Sequence, residues 1–178
     1  MFTKSEKQIF LESPSDYGVI SDRYGIVREG NFYGITYYFV DEVTETNLKN
    51  TLLPIEYHDD FNCLCMVVNK KDAPPHTDSN ILTTINVYVK TANATTKFYN
   101  VKNDSQLIPN LRTQTNGRMY AYEQLEECGS FQSAVGDVWV LDVTIPHSVH
   151  CSLDQDRVAF VVQTDKFTFE QVKSINNS

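Results

Sequence analysis

Pro74-Pro75-His76-Thr77-Asp78 lies between apolar, β-branched stretches on both sides, and its reading decides the fold. The two prolines stiffen the approach, and in extended chain side chains two apart point to the same face. His76 and Asp78 then project together into whatever the surrounding sheet encloses. A second histidine ends a distant apolar run, Val138-Trp-Val-Leu-Asp-Val-Thr-Ile-Pro-His147. Arg157 opens a third run, Val158-Ala-Phe-Val-Val162, where one positive charge among apolar residues needs an anionic partner.

Outward from that stretch the text is mostly β. Phe61 to Val68 reads as a strand, followed by a polar turn at Asn69-Lys-Lys-Asp72. Ile81 to Lys90, Lys97 to Val101, Val138 to Val143 and Val158 to Gln163 read as further strands, while 119–125 and 130–134 are ambiguous. Tyr17 to Val40 reads as hairpins, because short β-branched and aromatic runs alternate with Gly, Asn and Asp. Helices are few. Lys4 to Glu12 suggests a short one stopped by Ser13-Pro14, and Thr44 to Leu53 a better one, capped by Thr44 and ended by Pro54. Phe167 to Ile175 fits either a last strand or a terminal helix. The stretch Lys102 to Gly117, rich in Asn, Gln and Ser, reads as a long loop that acts as a lid or specificity element. Many short strands with few helices imply a mainly β, single-domain jelly roll. Residues 1–60 then flank a core over 61–165 that carries the site.

Composition narrows the function classes. Fifteen Lys and Arg against 23 Asp and Glu give a net charge of −8 over 178 residues, which argues against a broad nucleic-acid grip. A polar, charged start is unlike an apolar signal segment, and no apolar run nears the roughly 18 residues a membrane helix needs. The expectation is a cytoplasmic protein without a membrane partner. Cys63, Cys65, Cys128 and Cys151 have no zinc-site or redox spacing, and Cys63 and Cys65 read as small buried strand residues. His58 has nothing near it that completes a ligand set.

His76, Asp78 and His147 together form the set of two imidazoles and one carboxylate that leaves open positions opposite, as in non-haem Fe(II) oxygenases. Pro146-His147-Ser-Val-His150 offers two histidines, and three residues apart in extended chain means opposite faces. His147 is the inward choice because it follows Pro146 and leaves ten residues to Arg157; His150 is outward or supporting. Arg157 offers a planar fork that matches a carboxylate, which lysine does not reproduce.

The pieces Pro74–Asp78, Ile85-Asn-Val-Tyr-Val-Lys-Thr91, Gly136-Asp-Val-Trp-Val-Leu-Asp142, Pro146-His-Ser-Val149 and Asp156-Arg-Val158 resemble a known family. They are similar to the Fe(II)- and 2-oxoglutarate-dependent oxygenases, whose fold is a double-stranded β-helix. Within that superfamily they resemble the aspartyl/asparaginyl β-hydroxylase-like branch, which includes bacterial proline hydroxylases. The resemblance implies Fe(II) on His76, Asp78 and His147, with the far carboxylate of 2-oxoglutarate on Arg157. It further implies dioxygen as cosubstrate and hydroxylation of an amino acid, protein side chain or small metabolite, with succinate and CO2 released. The branch's usual basic cosubstrate contacts are missing from Thr83-Thr-Ile-Asn-Val-Tyr-Val89, where Asn86 and Tyr88 stand as substitute hydrogen-bond donors. Ser148 and Asp142 are candidates for orienting the ligands. Three alternatives accompany this reading: a cupin-like metal enzyme that uses no 2-oxoglutarate, an oxygenase of a nucleotide or nucleic acid base, and a non-catalytic jelly-roll binding module.

Overall fold

Period-two alternation builds the main sheet, and β5 (Thr83–Lys90) shows how. Ile85, Val87 and Val89 point to one face, where they join an apolar cluster; Thr84, Asn86 and Tyr88 point to the other and line a cavity. The computed structural model describes residues 1–9, 35–68, 72–102, 108–109, 117–151 and 155–178.

Two six-stranded sheets form the body. The first runs β1 (Phe2–Gln8), β10 (Asp137–Asp142), β5, β12 (Arg157–Thr164), β3 (Asn62–Val68) and β2 (Ile35–Phe39). The second runs β7 (Ile108–Pro109), β8 (Arg118–Met119), β4 (Ala73–His76), β11 (His147–His150), β6 (Thr95–Val101) and β9 (Leu125–Gln132). Every pairing is antiparallel. From β3 to β6 and again from β9 to β12 the chain changes sheet at each connection, giving β10-β5-β12-β3 facing β4-β11-β6-β9. That order is a double-stranded β-helix, a mainly β jelly roll with few helices.

Turn chemistry fits the tight corners. Ala92 and Asn93 both adopt positive φ, 49° each, and Ala94 N–H closes on the Thr91 carbonyl at 2.8 Å, as in a type I′ turn, where the chain passes from β5 in the first sheet to β6 in the second. Gly136 takes φ 86° at the entry to β10. Between the sheets one end is plugged by aromatics: Phe131 stacks on Trp139 at 3.9 Å, and Phe2 lies 5.1 Å from Phe98 and 5.0 Å from Phe131.

The outer face of the first sheet is covered by α1 (Glu42–Leu52) and α2 (Phe169–Asn176). Leu48, Leu52, Val172 and Ile175 bury against Cys63, Cys65, Val87, Val140, Phe160 and Val162. Asn176 Nδ2 donates to the Leu52 carbonyl at 3.0 Å and ties one helix to the other.

Two local expectations change, and a third, open between two readings, resolves. The Lys4–Glu12 helix is instead strand β1 over its described part, because pairing with β10 recruits the polar text Phe2-Thr-Lys-Ser-Glu-Lys-Gln8. The cap of α1 is Asp41, which accepts from the Thr44 N–H at 2.9 Å and its hydroxyl at 2.8 Å, so Thr44 lies inside the first turn. The final segment is a helix, opened by Thr168 with Gln171 reaching back. The hairpins read over 17–34, the turn at 69–71 and most of the 102–117 loop lie outside the described residues.

Candidate metal centre

Three elements converge on the cavity between the sheets. His76 ends β4, and His147 opens β11 as its direct cross-strand partner. Asp78 lies just beyond β4, held by its own N–H on the Val143 carbonyl at 3.0 Å. One ligand atom from each of His76, Asp78 and His147 lies within 4.8 Å of the others.

The imidazoles are pre-oriented. His76 Nδ1 contacts the Pro74 carbonyl at 2.8 Å and His147 Nδ1 the Ile145 carbonyl at 3.0 Å. A carbonyl only accepts, so each Nδ1 carries the proton and each Nε2 keeps its lone pair. Those Nε2 atoms stand 3.5 Å and 3.6 Å from Asp78 Oδ1, too far for strong hydrogen bonds, with the two rings 4.5 Å apart. Two lone pairs and a carboxylate converging on one buried point repel each other unless a cation lies between them. Carbonyl-fixed imidazoles are also the usual outer support of metal ligands. The donor set fits a divalent ion.

Electrostatics agree. Burial would raise the Asp78 pKa, but contact with His76 and the charges of His147 and His76 outweigh it and hold it below the usual carboxylate range. Burial, reinforced by His76, pushes His147 down to about 4, so it is neutral at pH 7. For His76, burial acts downward but the contact with Asp78 and its charge outweigh it, leaving the pKa raised. Tyr37 on β2 also lines the cavity, and burial with the charge of Asp78 raises its phenol, which stays protonated.

Arg157, 1% exposed, faces the same cavity. Its Nη2 donates to Thr96 Oγ1 at 2.8 Å and its guanidinium lies 4.6 Å over the Tyr88 ring, while Nε has no partner. Among the described residues no carboxylate comes within ion-pair distance of it. Asn86 and Tyr88 are on the same wall, as period two requires. Asn86 Nδ2 turns to Tyr88 OH at 3.4 Å and Oδ1 is left open, so Asn86 presents an acceptor to the cavity where the sequence suggested a donor.

The supporting candidates go elsewhere. Asp142 accepts from the Thr144 N–H at 3.1 Å and hydroxyl at 2.6 Å, a turn role. Ser148 bonds Tyr99 OH at 2.8 Å and His150 Nε2 at 3.0 Å, with Asp72 beyond at 3.3 Å, all behind β11. His58 contacts the Leu53 carbonyl. Tyr37, Thr84, Thr96 and Gln163 line the cavity without having been singled out in the sequence. Thr84 was two residues before Asn86 on the same strand and readable by parity; Thr96 and Tyr37 had no such signal.

No family model and no curated protein matches the chain. Among solved structures, it is similar to Bacillus subtilis oxalate decarboxylase OxdC at 16% identity and TM-score 0.40, covering 75% of this chain and 26% of that one. It is also similar to vicilin from hazelnut, Corylus avellana, at 14% identity and TM-score 0.42, covering 85% and 31%. The formate complex of Lactobacillus farciminis oxalate decarboxylase gives 11% and 0.40, covering 76% and 30%. The chain therefore spans under a third of each of these proteins, and at such identities the likeness concerns the fold and transfers no activity.

The expectation of an Fe(II)- and 2-oxoglutarate-dependent dioxygenase is corrected: none of these similar structures is such an enzyme, and the likeness to them extends to the fold alone. Fe(II), 2-oxoglutarate, dioxygen and succinate release fall with it. The cavity agrees: at about 50 Å³ it has room for about four waters, little for a long dicarboxylate beside a second substrate. What stands is a double-stranded β-helix with a cluster of three side chains that could hold a metal ion. No described helix is long and apolar enough to cross a membrane.

Proposed function

We propose that the chain is a divalent-metal enzyme of the cupin-like kind that acts on a small carboxylic acid without 2-oxoglutarate. His76, Asp78 and His147 hold the ion, and Arg157 holds the carboxylate. The observation that carries this reading is one cavity containing both a pre-oriented three-donor cluster and a buried guanidinium with an open Nε. Imidazole and carboxylate donors together suit first-row divalent ions. When bound, such an ion supplies Lewis-acid polarisation of a substrate oxygen.

The chain's own residues do the rest. The carbonyls of Pro74 and Ile145 keep both imidazoles turned inward. Tyr88 and Thr96 fix the plane of Arg157, so its fork meets a carboxylate in one orientation. Met66, Val68 and Val149 line the wall near it and thin the water that would screen the charge. Tyr37 offers a protonated hydroxyl as a donor at the cavity wall. Four cysteines without a disulfide suit a reducing compartment, and a cytoplasmic place belongs to the same proposal.

Titration with Mn(II), followed by electron paramagnetic resonance and by melting temperature, tests the metal half. Wild-type protein should bind one ion per chain and melt higher, and Asp78→Ala should lose both responses. Binding unaltered in Asp78→Ala would remove this centre from consideration. Arg157→Met should keep the ion but lose any further shift caused by small carboxylates.

A further inference from the structure

We infer that the acid admitted here is a small hydroxy acid, and that Asn86 selects it by accepting a hydrogen bond from the hydroxyl. The inference rests on the proposed metal and carboxylate site and names its ligand more closely. Three residues that line the cavity each bury one polar atom without a partner: Arg157 Nε, Asn86 Oδ1 and Thr84 Oγ1. Buried groups of this kind are normally satisfied, so each states what a ligand must bring.

Arg157 Nε asks for an acceptor. Asn86 Oδ1 is an acceptor itself and asks for a donor. A plain carboxylate satisfies the first and leaves Asn86 unpaired or facing a second acceptor. Asn86 and Arg157 are also held against one scaffold, since Asn86 Nδ2 reaches Tyr88 OH at 3.4 Å and the guanidinium lies 4.6 Å from the same ring. Asn86 is 5% exposed and Tyr88 1%, so this spacing is set before any ligand arrives. Acceptor and donor needs therefore share one wall of one small cavity, as carboxylate and hydroxyl share one short hydroxy acid.

Both hydroxyl and ammonium would supply the donor. The guanidinium is already a buried positive charge, and the ion adds more, so an ammonium would be repelled at short range in poorly screened surroundings. A neutral hydroxyl carries no such penalty. Thr84 Oγ1, two residues along the strand, can donate or accept and completes the polar side of the wall.

The test compares acids that differ by one group on the Mn(II)-loaded protein, by calorimetry and melting temperature: glycolate with acetate, lactate with propionate, and lactate with alanine. The hydroxy acids should bind about tenfold tighter than their plain partners, the yield of one buried hydrogen bond, and alanine should bind worst. Asn86→Ala should remove the preference, read as the ratio of glycolate to acetate affinity in the same Mn(II)-loaded variant. Asn86→Val is the second variant and should behave alike if alanine weakens the strand. Equal binding of glycolate and acetate, a preference for alanine, or a preference that survives both variants would overturn the inference while the metal and carboxylate site stands. Mn(II) binding with no response to any acid would overturn the carboxylate site itself, and the inference with it.

Discussion

The two faces of the first sheet are built from the same four strands and obey opposite rules. Toward the helices, β3, β5, β10 and β12 present Cys63, Cys65, Val67, Ile85, Val87, Val138, Val140, Val158, Phe160 and Val162, an apolar surface closed by Leu48, Leu52 and Val172. Toward the second sheet the intervening residues include Thr84, Asn86, Tyr88, Arg157 and Gln163. The outer face is where stability resides, because each group there gains by leaving water. The inner face spends some of that stability, since burying a charge and three unpartnered polar atoms is costly. A shift of one residue in register exchanges the two, so function and stability are separated by parity alone.

Substitutions on the two faces should accordingly move stability in opposite directions. Phe160→Ala on the outer face should cost about 3–5 kcal/mol in denaturant unfolding, leaving Mn(II) affinity unchanged in protein that remains folded. At a hundredfold excess over its dissociation constant, Mn(II) should add about 2.7 kcal/mol to wild-type stability and nothing to Asp78→Ala. Arg157→Met should raise the stability of the metal-free protein by about 1–3 kcal/mol, as expected when a buried charge without a described anionic partner gives way to a side chain of similar length. A loss of stability in Arg157→Met would mean that the two faces are not opposed.

Asp137 marks the edge of the contrast, a buried carboxylate that is fully satisfied. It accepts from the Ala134 N–H at 2.9 Å and pairs with Lys4 at 2.7 Å. Burial acts upward on its pKa, but Lys4 and the Ala134 N–H outweigh it and lower it. A depressed native pKa stabilises above the unfolded value near 3.9 and is lost as pH falls through the native one. Asp137→Asn should thus cost about 1–2 kcal/mol at pH 7, with the gap to wild type closing as pH drops below about 4. The smallest effect is expected from neighbours on one strand. Thr84→Val removes an unpartnered hydroxyl and should gain about 1 kcal/mol, whereas Ile85→Thr beside it should lose about as much or more. Like signs at these two positions would refute the parity argument.

Much of this division was legible in the sequence. Alternation in Thr83-Thr-Ile-Asn-Val-Tyr-Val89 announces a strand with two unlike faces, and His76, Asp78 and His147 stand out as candidate ligands separated in chain, which the fold brings together. What was not legible depends on partners distant in sequence. Residues 2–8 carry helix-favouring Lys, Glu and Gln and become a strand because β10 offers a free edge. Tyr37 reaches the cavity only because β2 pairs with β3, and nothing in Tyr37-Tyr38 says which ring turns inward. The expected cosubstrate changes for a related reason: the ten residues from His147 to Arg157 match one family's spacing, whereas the room around Arg157 is set by residues on other strands, Thr96 among them.

The order of strands has a kinetic consequence. β12 lies at the middle of its sheet, hydrogen-bonded to β3 on one side and β5 on the other, yet it follows both in the chain. Neither neighbour can complete its ladder until residues 157–164 are available, and the partners are brought together across long intervening stretches of chain. Such wiring places this chain among slow folders, with β3 and β5 exposing adhesive edges while they wait. The strand that brings Arg157 to the cavity is thus also the keystone of the sheet, so the arginine is buried in the same event that completes the fold.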